Sequence, residues 1–583
     1  MRLCRLFRTA VALVAALLGA FAGAPARAGA SAPADLLIVD ARVYAPSAAL
    51  SGSGRPPDAV AVRGERIVAV GESAALVARY RGPGTRVVEA RGRTLLPGLQ
   101  DGHVHFLGGA LAQARVVLDG AADVPELQRR VKAWADANPA APWVLGRGWM
   151  YAAFGAEALP HRRYLDAIVP DRPVLLHAAD GHSAWANGRA LELAGITRET
   201  PDPPNGIVVR DPRTGEPTGA LKEAAIGLVG KLVPRPTRDE QLAALRAAVR
   251  QASAFGLARL HSLGGDFPAL ELLEQLERDG DLSVRFDVAI SVAPPGLTPA
   301  QRQEILGARG RWSGDALAFG GVKLMLDGVI DAKTAALLEP YADDTRRGDL
   351  FWRREDFLRT VAELDALGVP MATHAIGDAS IRLALDAYEA AARANGPWRG
   401  RGVRRHKIEH VETIALADVG RFRALDVTAS FQPLHANPEP GWIGVWERNL
   451  GPVRTERGFA WALLERAGAR VAFGSDFPVV TLDPWQGLQM AVARQYVGAD
   501  GTPLPPGGFV PAQRLTLPQA LDAYTINVAQ ALNRDADEGS IAPGKRADLV
   551  LVDRDLAATP PLELAATRVL MTVFDGRVVH EAR

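Results

Sequence analysis

LLPGLQDGHVHF, Leu95–Phe106, is an apolar run that ends in an aspartate and two histidines. A strand turns residues i and i+2 to one face. His103 and His105 therefore project together from the point where the strand gives out. Two imidazoles side by side suit one metal ion. A polar turn after a strand would accommodate the same pair, so the rest of the chain has to decide.

Seven more apolar, strand-like runs follow: GLARLHSL, SVRFDVAIS, FGGVKLML, VPMATHAIG, HKIEHVE, VTASFQPL and ARVAFGSDF. Helical stretches such as QLAALRAAVRQASAF, REDFLRTVAELDALG and SIRLALDAYEAAARANG lie between several of them. Eight βα units predict an α/β fold, a (β/α)8 TIM barrel over 95–537. The first connection, 108–237, is far too long for a βα loop. It contains PWVLGRGWMYAAFG and RPVLLHAADGHSAWANGRAL and is expected to be an insertion over the active site. Segments 35–94 and 538–583 both read as short strands and turns, and are expected to pair into one small sheet domain.

Residues 1–28 have the three-part build of a signal peptide. Arg2, Arg5 and Arg8 precede an apolar stretch from Ala10 to Ala22, and Ala26-Arg27-Ala28 closes it. The alternative is an uncleaved anchor; the expectation is cleavage near Ala28 and an exported protein, periplasmic or secreted. Cleavage removes four of the 67 basic residues and no acids, leaving 63 against 66, a net charge of −3. That balance gives no sign of a nucleic-acid partner. It also removes Cys4, the single cysteine, and so excludes disulfides and thiolate metal sites. No other segment is long and apolar enough to span a bilayer, so no stable membrane anchor is expected after cleavage. The composition, 48% hydrophobic and 23% charged, is that of a globular protein.

A barrel carries its chemistry at the C-terminal ends of its strands. There stand His103 and His105, then Lys323, His374, His410 and Asp476. In GGVKLMLDG, Val322, Leu324 and Leu326 share one face and Lys323, Met325 and Asp327 the other. HKIEHVE places His406, Ile408 and His410 on one face. A lone histidine is most often a core residue, but four histidines, an aspartate and a lysine at five strand ends resist explanation by packing. A lysine inside an apolar strand is costly as an ammonium. As a neutral amine it adds carbon dioxide to become a carbamate that bridges two cations; the competing expectation is a salt bridge to Asp327.

DGHVHF, GVKLMLDG, THAIGD, RHKIEHVE and GSDFPV together resemble the amidohydrolase superfamily. PWVLGRGW, LDAIVPDRPVLLHAADGHSAWANGRAL, GEPTGALKEAA and the closing GSIAPGKRADLVLVD resemble its family 3, the YtcJ-like branch that includes N-substituted formamide deformylases. The resemblance implies a distorted barrel, a β-sandwich built from both chain ends, and two divalent metal ions. His103 and His105 with Asp476 would hold the first, His374 and His410 the second, and carboxylated Lys323 would bridge them. Zinc is the foremost candidate, and manganese, iron or nickel suit the same donors. The implied activity is hydrolysis of a non-peptide carbon–nitrogen bond, amide-type, in a small-molecule substrate. A metal-activated hydroxide attacks, and Asp476 is the catalytic proton shuttle. The same site would serve an ester or lactone. The other class of reading is a non-catalytic barrel that binds a metal or ligand, for which a proton shuttle has no use. GLARLHSLGG, with His261 and Ser262, departs from the threonine-rich GVT-type stretch of relatives.

Trp149, His182, Trp185 and His435 are candidate substrate-binding residues. His177 and His406 fall in apolar runs and are expected in the core or behind the site residues, and Tyr151 and Phe154 are candidates for a lid. Homo-oligomerisation is compatible with the sequence.

Overall fold

The computed structural model describes residues 32–44, 56–157, 159–179, 181, 183–204, 206–331, 333–498 and 500–582. The segment expected to be a signal peptide lies outside the described residues. So does His182.

The quoted stretch divides between two sheets. Thr94–Pro97 pairs with Arg42–Val43 and with Leu549–Val552, whereas Leu99–Val104 opens the barrel. The change falls at Gly98, where any Cβ would lie 2.4 Å from that of Ala258. Glycine is required there because the strand leaves one sheet for another through a gap too narrow for a side chain.

Eight parallel strands follow in order: β1 (Leu99–Val104), β2 (Leu257–Gly265), β3 (Arg285–Ser291), β4 (Leu317–Met325), β5 (Met371–Ala375), β6 (Lys407–His410), β7 (Thr428–Phe431) and β8 (Val471–Phe473). Each of the eight runs expected to be a strand forms one. β8 does not pair directly with β1. The circle is nearly closed just beyond β8, where the amide of Asp476 donates to the carbonyl of His103 and the amide of His105 donates to that of Phe477, both at 2.7 Å. That late closure distorts the barrel and pulls Asp476 against the two histidines.

Helices run between the strands and cover them. Arg238–Ala254 starts at a capping box, Thr237 with Glu240, and Pro299–Arg311 at another, Thr298 with Gln301. The helix Phe267–Asp279 starts at the Asp266 cap and stops at Gly280 in the left-handed conformation, φ 76°. Their apolar faces and the outward faces of the strands form one continuous core.

Strands from both chain ends make a second unit. A five-stranded sheet joins Arg42–Val43 and Thr94–Pro97 to Leu549–Val552, Val569–Phe574 and Arg577–Glu581. A four-stranded sheet comes entirely from Leu36–Glu89. Leu36, Ile38, Val60 and Val62 of the latter pack on Leu95, Leu549, Met571 and Val573 of the former. Between β1 and β2 the chain builds a six-stranded sheet of its own, from Val116–Val117 to Pro217–Glu223, with separate hydrophobic cores. Among the described residues no helix is long and apolar enough to cross a membrane.

Candidate metal centre

Six residues singled out from the sequence converge at the C-terminal mouth of the barrel. His103 Nε2 and His105 Nε2 lie 3.1 and 3.0 Å from the same oxygen, Oδ1 of Asp476. Lys323 Nζ is 3.5 Å from His103 Nε2. The ring of His410 is centred 5.0 Å from that of His103 and 4.5 Å from that of His374. His103, His410 and Asp476 each offer an atom within 4.8 Å of the other two. All but His105 are buried.

The hydrogen bonds around the histidines fix what they present to the centre. His103 Nδ1 lies 2.9 Å from Glu409 Oε2, and His105 Nδ1 lies 2.8 Å from the Leu263 carbonyl. Glu409 and the Leu263 carbonyl accept only, so each Nδ1 carries the proton and each Nε2 is a bare lone pair; the side-chain amide of Gln432, 3.2 Å from His103 Nδ1, then turns its oxygen to that proton. Two lone pairs and a carboxylate oxygen then face one another at about 3 Å. That arrangement repels itself unless a cation sits among the three, and a carboxylate behind a ligating histidine is the usual support of a metal site. The donor set, nitrogen and carboxylate oxygen without sulfur, fits a divalent ion.

Charge states agree. Burial, with Lys323 nearby, pushes His103 down, and burial with His374 nearby pushes His410 well down. Burial and Lys323 take His374 to about 3. These imidazoles are therefore neutral near pH 7. Burial pushes Lys323 below an ordinary lysine. Among the described residues no carboxylate lies within 4.0 Å of its ammonium, so the expected alternative of a salt bridge to Asp327 is not found. Asp327 is occupied elsewhere: it accepts from the amides of Ala336, Ile376 and Gly377 and from Ser380 Oγ, fastening the loop after β4 to the turn after β5 and the start of the helix Asp378–Asn395.

Backbone strain sits at the same place. His410 and Asp476 have φ of 76° and 60°, left-handed values that cost a non-glycine residue about 1–3 kcal/mol. At His410 this breaks the alternation of β6. His406 and Ile408 point away from the barrel interior, where His406 bonds Asp365 at 3.1 Å. Lys407 and Glu409 point inward, paired at 3.0 Å. The turn at His410 brings its ring back to the inner side. Sequence reasoning placed His406, Ile408 and His410 on one face, and so missed Glu409. The available signal was a Lys-x-Glu pair inside an apolar strand.

A cavity of about 730 Å³ opens onto these residues. The insertion contributes Trp149, Tyr151 and Lys222 to its wall, and the segments after β6 and β7 contribute Glu412, His435 and Trp446. His435 stacks on His410, with centroids 5.8 Å apart and planes 8° apart. Its Nε2 is 3.7 Å from Asp476 Oδ2 and its Nδ1 3.8 Å from Glu412 Oε1. Trp149 is buried, donating to the Leu176 carbonyl at 2.8 Å, with its ring against the cavity. Trp185 does not reach the cavity: it is packed edge-on against Phe154, 5.2 Å away, in the core of the insertion. Phe154 is part of that same core, whereas Tyr151 lines the cavity. His261 also lies elsewhere, inside the barrel below the centre.

The model of the amidohydrolase family matches residues 86–580. The chain belongs to the amidohydrolase family. Protein LONG AFTER FAR-RED 3 of Arabidopsis thaliana is 33% identical, over 94% of this chain and 92% of its own. The N-substituted formamide deformylase of Arthrobacter pascens is 28% identical, over 94% of this chain and 98% of its own. A metal-dependent hydrolase of Pyrococcus horikoshii shares the fold with a TM-score of 0.70 at 26% identity, covering 90% of this chain and 98% of that one. As an amidohydrolase with such neighbours, the protein is a hydrolase, and its barrel is the fold of that family.

Proposed function

We propose that this amidohydrolase is an exported enzyme that hydrolyses a non-peptide carbon–nitrogen bond, amide-type, in a small molecule with an apolar substituent. The observation that carries the reading is the meeting of His103 Nε2, His105 Nε2 and Asp476 Oδ1. These atoms, with His374 and His410, would hold one or two divalent ions, zinc first among them. Such ions supply Lewis acidity and lower the pKa of water from 15.7 to about 7.

The chain's own groups do the rest. Asp476 Oδ2 takes the proton of the attacking water and returns it to the leaving nitrogen, which must depart as an amine. His435, 3.7 Å from that oxygen, is placed to orient the carbonyl or share the proton. Glu409 fixes the tautomer of His103, and the Leu263 carbonyl that of His105. Lys323, buried and with no carboxylate partner among the described residues, is suited to lose its proton and add carbon dioxide. The new N–C bond makes a carbamate, and the proton leaves to solvent. Trp149, Trp446, Phe459 and Ile443 give the cavity an apolar wall for the substituent. Similarity to a deformylase of N-substituted formamides favours an amide over an ester. Export rests on the make-up of residues 1–28.

The test is a panel of N-acyl amides and matched esters, with and without chelator. Chelator-sensitive turnover, faster on amides, is expected. Turnover of esters alone would replace the bond assignment, and turnover that ignores the chelator would end the metal reading.

A further inference from the structure

The opposite end of the barrel holds a second cavity, of about 180 Å³. It lies among the N-terminal ends of β3 to β6, away from the metal centre. Its lining includes Arg309, Arg401, Arg405, Lys407 and Arg534, five cations, against the single carboxylate of Asp287. That carboxylate is already bound by Arg259 and by Arg534 Nη2, the latter at 3.0 Å. Lys407 is turned to Glu409, and Arg405 is paired with Asp535 at 3.2 Å. Arg309 donates to the Leu367 carbonyl. Among the described residues, neither Arg309 nor Arg401 has a carboxylate within 4.0 Å.

His261 lines the cavity from within β2. It is 2% exposed, and among the described residues neither of its ring nitrogens has a hydrogen-bond partner. The Nε of Arg534, 4% exposed, also lacks one. Buried polar groups are normally satisfied, and each one left bare costs about 1–3 kcal/mol. Water alone would meet these hydrogen bonds but not the excess positive charge. An anion meets both, and hydrogen bonds from guanidinium to oxyanion are about twice as strong as neutral ones. Size narrows the class. At roughly 30 Å³ per water the space takes about six waters, well below the 300–1,000 Å³ or so of pockets for larger ligands.

We propose that this cavity is a binding site for a small oxyanion, a phosphate or a carboxylate, held by Arg309 and Arg401 at its mouth and by Arg534 and His261 inside. It stands apart from the hydrolytic site and does not depend on how that site is read. Sodium phosphate, and separately sodium acetate, is titrated calorimetrically into the full-length protein at constant ionic strength. The variants are Asp476→Asn, at the metal centre, and Arg309→Ala/Arg401→Ala, whose side chains are not buried and whose folding is checked by thermal melt. Saturable binding is expected in wild type and Asp476→Asn alike, weakened at least tenfold in the double arginine variant. Binding of phosphate alone assigns the phosphate class, and binding of acetate the carboxylate class. No saturable heat with either anion, or wild-type affinity in the double arginine variant, overturns the proposal.

Discussion

Replacing Glu409 by Gln separates two jobs that one buried carboxylate performs. Its Oε2 accepts from His103 Nδ1 at 2.9 Å, and its Oε1 faces Lys407 Nζ at 3.0 Å, with the Glu409 side chain fully buried and that of Lys407 4% exposed. At that separation and an effective dielectric of about 20, the attraction to Lys407 is about 5.5 kcal/mol. The amide keeps the shape but removes the charge, leaving Lys407 buried without an anion. The expected loss of stability is about 3–5 kcal/mol, the usual cost of breaking one side of a buried pair. The amide also supports His103 less well, and a lost partner behind a metal-binding histidine weakens metal affinity about 10–100-fold. Adding Lys407→Met removes the stranded charge. The double variant should therefore regain most of the stability and none of the metal affinity. Urea denaturation and competitive zinc titration of the three proteins read the two effects separately. An unchanged midpoint in Glu409→Gln, or a double variant no more stable than the single, would show that the Lys407 pairing is not what that carboxylate balances.

Other perturbations bear on separate parts of the molecule. Asp476→Asn should cut kcat about 10²–10⁴-fold on the best amide substrate, the usual share of a general base; turnover near wild type would remove Asp476 from the proton path. Asp365 accepts from His406, Asn395 and Arg404; burial alone would raise its pKa, but these donors outweigh it and hold the carboxyl at about 2. Its folded pKa lies below the unfolded value, so its contribution of about 2 kcal/mol is present above pH ~4 and fades as pH falls toward ~2. Asp365→Asn should flatten the acid limb of stability against pH in that window, and an unaltered limb would contradict the assignment. Asp327→Ala should strip hydrogen-exchange protection from Ile376 and Gly377, whose amides it accepts; protection equal to wild type would mean the loop is held by other contacts.

The barrel was legible because its strands are apolar on both faces, so each reads as a short hydrophobic run between helices. The six converging polar residues were legible for the same reason: a lysine or histidine stands out in such a run. Conformation at the strand ends was harder to see. Period-two alternation fails at His410, whose left-handed backbone returns its ring to the inner face, and with it Glu409 was overlooked. Gly98 shows the same limit, since LLPGLQDG reads as one strand until a second sheet claims its first half. Trp185 drew attention as a large aromatic in the insertion, but sequence does not tell a pocket wall from a local core, and it belongs to the core. The cations at the lower end of the barrel lie on separate elements, and only the closed fold gathers them.

Crystals of the full-length protein, grown with zinc and bicarbonate and measured on both sides of the zinc absorption edge, bear most directly on the assembly at the barrel mouth. Anomalous peaks should appear about 2.0–2.2 Å from His103 Nε2, His105 Nε2 and Asp476, and close to His374 and His410. Density beyond Lys323 Nζ should extend to a carbamate. Zinc bound only elsewhere on the molecule, with these side chains unmoved and empty of it, would mean that their convergence serves some other purpose.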